Sequence, residues 1–234
     1  MNTDVFCFQE MLFGIEPTVT PIHQARLNIF SEIEKCLPDF QAVTYLAPDE
    51  ALHFQDEPLE NKTPPGQAIF VRKGLRIRNH GGFRCYNNDI PDRVYLGGKI
   101  TGSCQWIDLE IQNKEMLTIL NLHGLWQKDN KKADTQERLT QSIIINDFLQ
   151  SKNEKKILCG DFNLQPNSQS IRILEKEMLN LVKNSTFTST RSSYYSKPDT
   201  FADYILVSPN IIVKHFQVLQ DEISDHLPLM LEFE

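Results

Sequence analysis

Leu158-Cys159-Gly160-Asp161-Phe162-Asn163 closes the apolar run 157–159 with a turn glycine and two short polar side chains, two positions apart. Alternation along an extended chain puts Asp161 and Asn163 on one side, so a strand ending here hands a carboxylate and an amide to the mouth of a sheet. That pair suits a hard divalent cation, or a water held and deprotonated while an anion is attacked. Taken alone, an Asx turn closing a strand is the commoner explanation of such a tetrapeptide. The rest of the chain has to decide.

The chain has 234 residues, 40% hydrophobic and 24% charged, with no Gly/Ser-rich or Pro-rich linker. This is ordinary globular composition with enough length for one sizeable core, so one domain over residues 1–234 is expected. No apolar run is long enough to span a bilayer, and the first residues carry neither a basic region nor a cleavable apolar segment. A cytoplasmic address without a membrane span is the expectation. Cysteines stand at positions 7, 36, 85, 104 and 159 with no Cys-x-x-Cys pair, which reads as reduced, mostly buried thiols. The balance of 24 basic against 31 acidic residues, a net charge of −7, argues against tight non-specific binding of nucleic acid.

Residues 4–9 read as an apolar strand that hands Glu10 to its edge. Thr20 and Pro21 have the chemistry of a helix start, and Leu27, Phe30, Ile33 and Leu37 recur at helical spacing until Pro38. A strand at 40–46 precedes a surface excursion at 47–66, and segments 67–71 and 75–79 read as a hairpin around Lys73-Gly74. Arg76 and Arg78 share a strand face there and are candidate phosphate contacts, against the commoner reading of a solvated face. Strands at 103–111 and 116–122 follow, the second ending on Asn121-Leu122-His123. Asp134 and Glu137 form a capping box for a helix reaching Gln150, with Leu139, Ile143, Ile144, Phe148 and Leu149 toward the core. A short helix is expected at 168–175, a long loop near the site at 184–200, and strands at 202–207, 211–219 and 227–233.

Five strand boundaries thus carry polar groups: Glu10, His123, Asp161 with Asn163, Asp203, and Asp225 with His226. Each has a bland reading, as a surface acid, a hydrogen-bonded core histidine or a turn former. Together, in this order, Gln9-Glu10, Asn121-Leu122-His123, Gly160-Asp161-Phe162-Asn163, Asp203-Tyr204-Ile205 and Ser224-Asp225-His226 resemble the endonuclease/exonuclease/phosphatase superfamily with its DNase I-like fold. The resemblance runs from Asp4 to the C-terminus.

It implies an α/β fold of four layers, two mixed β-sheets packed face to face with helices outside, and Mg2+- or Mn2+-dependent attack of water on phosphorus. Carried over by motif, Glu10 and Asp225 would hold the metal, while Asp161 and Asn163 would position or deprotonate the water. Asp203 would orient His226, and His123 with His226 would contact the phosphate; whether Asp161 or His226 is the general base stays open. Arg76 and Arg78 are carried as substrate contacts on the residue reading alone. The family pattern also begins with a strand bearing Leu-x-x-Asn well upstream of its Gln-Glu, and here Gln9-Glu10 stands so early that this strand and its Asn are expected to be missing.

The leading reading is a monomeric hydrolase of phosphate esters whose substrate is a small molecule, a lipid head group or a nucleic acid. His123 in Asn-x-His leans toward the DNase I, sphingomyelinase and polyphosphoinositide phosphatase side of the superfamily. The alternatives are a nuclease acting on DNA or RNA, and a catalytically impaired binding module lacking the first strand.

Overall fold

The structure, a computed structural model, describes residues 3–14, 26–47, 53–54, 57–58, 65–86, 102–127, 132–152 and 155–234. In chain order the elements are β1 (Val5–Leu12), α1 (Ile29–Cys36), β2 (Phe40–Leu46), β3 (His53–Phe54), β4 (Glu57–Pro58), β5 (Pro65–Arg72), β6 (Arg76–Arg84), β7 (Ser103–Glu110) and β8 (Met116–His123). Then come α2 (Gln136–Gln150), β9 (Lys155–Asp161), α3 (Gln169–Leu174), β10 (Leu179–Asn180), β11 (Asp203–Val207), β12 (Val213–Val218) and β13 (Leu229–Phe233). Thr20 and Pro21 lie outside the described residues.

A six-stranded mixed sheet, ordered β10-β11-β9-β8-β7-β6, faces a three-stranded sheet, β1-β5-β2, and the pair β12-β13. Period-two alternation divides the apolar side chains of each strand between two faces. Ile107, Leu109, Leu117, Ile119, Ile157, Ile205 and Val207 point between the sheets and meet Ile69 and Val71 of β5. Leu120, Leu122, Leu158, Tyr204 and Leu206 point the other way, into a core shared with Ile145 and Leu149 of α2 and Ile171 and Leu174 of α3. On the far side of the small sheet, Phe6, Phe8, Ala68 and Phe70 meet Ile29, Phe30 and Ile33 of α1. The result is the expected four layers, with one difference: every pair in the small sheet is antiparallel.

Other expectations are corrected. Gly74 turns the chain with φ 103°, but β5 and β6 do not form a hairpin. Both edges of β5 are taken by β1 and β2, so β6 crosses to the other sheet and pairs with β7. The cap of α2 is Thr135, whose side chain accepts from the Arg138 amide. Asp134 instead accepts from the Gln169 and Ser170 amides, at 2.6 and 2.8 Å, and so closes the start of α3 beside its cap Ser168. The buried face of α2 is Arg138, Gln141, Ser142, Ile145 and Leu149, while Ile143 is exposed. Arg138 and Gln141 are drawn inward because the Leu125 carbonyl accepts from Arg138 Nε at 3.3 Å and the Leu125 amide donates to Gln141 Oε1 at 2.8 Å. None of the five cysteines is in a disulfide, and Cys36 is exposed rather than buried. Among the described residues no helix is long and apolar enough to cross a membrane.

Beneath one end of the sandwich the apolar contact between sheets gives way to amides. Asn121, fully buried, accepts at Oδ1 from Gln9 and donates to the Phe8 carbonyl at 2.9 Å, while its own carbonyl accepts from Gln67 at 2.8 Å. Ser103 donates to Gln67 at 3.0 Å, and Gln105 donates to the Val43 carbonyl at 2.8 Å. Directional bonds fix how β1 and β5 sit over β7 and β8, which apolar packing alone leaves free to slide.

Two outcomes follow. Asn121→Ala should cost about 2–3 kcal/mol in urea unfolding, because Gln9 and the Phe8 carbonyl lose buried partners; a loss below about 0.5 kcal/mol would mean that water replaces the amide without penalty. Asp134→Ala should cost about 1 kcal/mol, as for a lost helix cap. Desolvation would raise the pKa of Asp134, but hydrogen bonds from the Ser170 hydroxyl and the Ser170 and Gln169 amides outweigh it and hold the carboxyl below its ordinary value. A depressed pKa means the stabilisation is complete above the unfolded value and lost as pH falls through the folded one. Parent and Asp134→Ala should therefore converge in stability at acid pH, and a constant difference down that range would remove the carboxylate from the account.

Candidate active site

Register builds this site. Ser103 of β7 stands opposite His123 of β8, His123 opposite Asp161 of β9, and Asp161 opposite Asp203 of β11. Residues in one such row point to one face, here the face toward the small sheet. Gly160 makes the approach of β9 to β8 possible: with φ 128°, a Cβ there would lie 2.1 Å from the Leu122 carbonyl oxygen. Glu10 arrives from the other sheet. The β1–β5 ladder breaks between Phe8 and Met11, and Glu10 takes the left-handed conformation, φ 55°. Such a bulge re-aims a side chain, and it brings Glu10 Oε1 within 3.5 Å of His123 Nε2.

His226 lies ahead of β13, and its Nδ1 is 2.8 Å from Asp203 Oδ1. The second oxygen of Asp203 accepts from Thr190 Oγ1 at 3.0 Å, and Thr190 in turn accepts from the Ala202 and Asp203 amides. His226 Nε2 stands 3.8 Å from Asp161 Oδ2 and accepts from Arg191 NH1. Burial disfavours a charged ring, yet the Asp203 and Asp161 carboxylates outweigh burial and the Arg191 charge, lifting the pKa of His226 to about 9. Asp161 Oδ1 accepts from the Asn163 amide at 2.8 Å, and Asn163, at φ 52°, donates from its side chain to the Gly124 carbonyl.

Arg191 is held against this group by the backbone. It bridges to His226, the Ser192 amide donates to the Asp225 carbonyl, and the Leu227 amide donates to the Thr190 carbonyl. Its NH1 donates to Asp225 Oδ2 at 2.8 Å, and NH2 lies 3.9 Å from Asp161 Oδ2. Lys132 donates to the Phe201 carbonyl at 3.0 Å; burial and the Arg191 charge lower its pKa to about 8 against the pull of Asp161 and Asp203. Crowding would raise the pKa of Glu10, but the hydrogen bond and charge of His123, with the His226 and Arg191 charges behind, bring it to about 2. Since 53% of the Glu10 side chain remains open to solvent, crowding counts for less than those cations.

Glu10, His123, Asp161, Asn163, Asp203, Asp225 and His226 therefore meet at one end of the sandwich through the contacts above. Arg76 and Arg78 do not join them. Arg76 stands opposite Glu110, and Glu110 opposite Met116, at the other end of the strands that finish on His123 and Asp161, while Arg78 is ion-paired with Glu110. Two positive residues escaped the sequence reading, Arg191 and Lys132. Arg191 lies in the stretch 184–200, read as a long loop near the site, and a lone basic residue there carries no periodic signal.

A hard divalent cation fits these donors. Glu10 is ionised and half open, and Asp225 keeps Oδ1 without a hydrogen bond among the described residues while Oδ2 holds Arg191; carboxylate oxygens suit Mg2+ and Mn2+. Asp161, Asp203 and His226 each bring a donor atom within 4.8 Å of the others. Both Asp203 oxygens and His226 Nδ1 are already bonded to protein, however, so that trio is less suited to enclosing an ion.

Solved structures with the same architecture include a mannosyl-6-phosphatase of Bacteroides thetaiotaomicron, with TM-score 0.67 and 20% identity over 99% of this chain and 85% of that one. The human Nocturnin catalytic domain with bound sulfate gives TM-score 0.68 and 19% identity over 99% of this chain and 80% of that one. D. rerio TDP2 complexed with single-strand DNA product gives TM-score 0.65 and 12% identity over 99% and 86%. At these identities the likeness is one of fold, and no curated protein sequence matches the chain. The sequence profile of the Endonuclease/Exonuclease/phosphatase family, however, matches residues 1–226, and the chain belongs to that family of phosphoester hydrolases.

Proposed function

We propose that the chain is a divalent-metal-dependent phosphoesterase that adds water to the phosphorus of a phosphate ester. The observation that carries this reading is the His226–Asp203 pair, bonded at 2.8 Å, with Asp161 Oδ2 3.8 Å from the second ring nitrogen, which also meets Arg191 NH1. A histidine fixed through Nδ1 by a buried carboxylate has one tautomer and one orientation, which is what proton transfer at Nε2 requires. Asp161, bonded through Oδ1, keeps Oδ2 for a water. As that water's oxygen bonds to phosphorus, its proton passes to Asp161, or to His226 in molecules whose ring is neutral, and the bond from phosphorus to the leaving oxygen breaks with its electron pair on that oxygen. His123, held beside Glu10, supplies N–H density toward the phosphate oxygens. A Mg2+ or Mn2+ held by Glu10 and Asp225 would neutralise charge on the phosphate.

A nuclease acting on DNA or RNA has weaker support, since Arg76 and Arg78 stand at the wrong end for it and the net charge is −7. A binding module without catalysis would have no use for a histidine oriented by a buried carboxylate.

Asp203→Asn should lower turnover on a chromogenic phosphate ester by roughly 10²- to 10⁴-fold, with melting temperature changed by only a few degrees. Undiminished turnover would remove Asp203 from the reaction. Mg2+ or Mn2+ should raise the melting temperature of the parent and not that of Glu10→Gln, because only a ligand bound by the native state stabilises it. A parent indifferent to both ions would take the metal out of the reading.

A further inference from the structure

We propose that Arg191 and Lys132 form a two-cation grip on a terminal phosphate group, so that the substrate of this site is a phosphomonoester. The inference rests on the phosphoesterase reading and goes beyond it in naming the substrate class.

Both cations are buried, the Arg191 side chain 7% and Lys132 5% exposed. Burying a cation is costly unless it is paired and hydrogen-bonded. Here the pairing is incomplete. Among the described residues the buried Arg191 Nε has no hydrogen-bond partner, and NH2 has only the long approach to Asp161. The Lys132 ammonium donates to one backbone carbonyl, and among the described residues no carboxylate reaches it within ion-pair distance. Lys132 is also held in the left-handed conformation, φ 57°, which costs a non-glycine residue stability and persists where surrounding structure imposes it.

Both cations lie against the same aromatic ring. The Arg191 guanidinium lies 4.3 Å, and the Lys132 ammonium 5.0 Å, from the centre of the Tyr195 ring. Two buried like charges near one ring repel each other, and the Arg191 charge is among the causes that lower the pKa of Lys132. An anion with several oxygens removes that repulsion and takes up the surplus N–H groups.

The count of oxygens selects the ester. A phosphodiester has one negative charge and two non-bridging oxygens, which the histidines and a cation held at Glu10 would already serve. A monoester carries three acceptor oxygens and a charge near −2 at neutral pH. The third oxygen and second charge are what an additional lysine and arginine match.

The test compares p-nitrophenyl phosphate with bis(p-nitrophenyl) phosphate in Mg2+ for the parent, Lys132→Gln and Arg191→Lys, and measures inorganic phosphate binding by calorimetry. The parent should prefer the monoester. Lys132→Gln should lose at least tenfold more kcat/KM on the monoester than on the diester, and should bind phosphate roughly tenfold more weakly, the range for a lost charge-assisted bond. Arg191→Lys, which keeps the charge and removes the fork, should fall between parent and Lys132→Gln in phosphate affinity and provides a second variant should one fold poorly. A diester preference in the parent, equal losses on both esters, or unchanged phosphate affinity would overturn the inference and leave the phosphoesterase reading standing. Hydrolysis of neither ester by the parent would overturn both.

Discussion

The register of four neighbouring strands is the constraint on which the rest depends. Ser103, His123, Asp161 and Asp203 share one row, and the row below it, with Gln105, Asn121, Cys159 and Ile205, shares the same face. Because side chains alternate, a slip of one residue in β9 would turn Asp161 toward the helices and bring the Leu158 and Phe162 side chains into the gap between the sheets. The apolar halves of the strands forbid this. Ile157 and Ile205 are committed to one core, and Leu158 and Tyr204 to the other. The geometry of the candidate site is thus a by-product of core packing, extended to the end of the strands where apolar residues give way to polar ones.

The second sheet needs its own fixing, since Glu10 belongs to β1 and meets His123 of β8. Asn121 provides it, joining Phe8 and Gln9 to the row beneath the site. Local strain gathers where the groups must turn. Glu10, Asn163 and Lys132 have φ of 55°, 52° and 57°, and the other two non-glycine positive φ values among the described residues belong to the Gln112–Lys114 turn. Left-handed backbone costs a non-glycine residue of order 1 kcal/mol or more, and each of the three is held by its surroundings: Glu10 by the bulge, Asn163 by the Gly124 carbonyl, and Lys132 by the Gln165 amide on its carbonyl.

The strands were legible because alternation and turn residues mark them, and 40–46 matches β2 to the residue. The motif residues were legible because short polar side chains at strand boundaries break an apolar pattern. Pairing was not. The hairpin at Lys73-Gly74 failed because a turn signal is local, while the neighbours of β5 are set by segments far away in sequence. Asp134 misled for the same reason: its spacing to Glu137 is that of a capping box, but the amides it accepts belong to residues 169 and 170. Arg191 and Lys132 carry no pattern at all, and the place of Arg191 becomes visible only when the 184–200 segment is laid against Asp225 and His226.

The pairing of β8 with β9 links these points. It is the one parallel pair among the described strands of the large sheet, so its connection must cross over, and α2 is that crossover. The same helix sends Arg138 and Gln141 inward to bind the carbonyl and amide of Leu125, two residues beyond His123. Gly124 joins the two strand ends, its amide donating to the Asp161 carbonyl at 2.7 Å and its carbonyl accepting from Asn163. A parallel pair therefore brings His123 and Asp161 out at the same end of the sheet, where an antiparallel pair would separate two strand C-termini, and the helix required to make it parallel also holds the segment that follows His123. Polar burial in α2, which looks like a defect in an amphipathic helix, is the means by which the crossover stiffens the site.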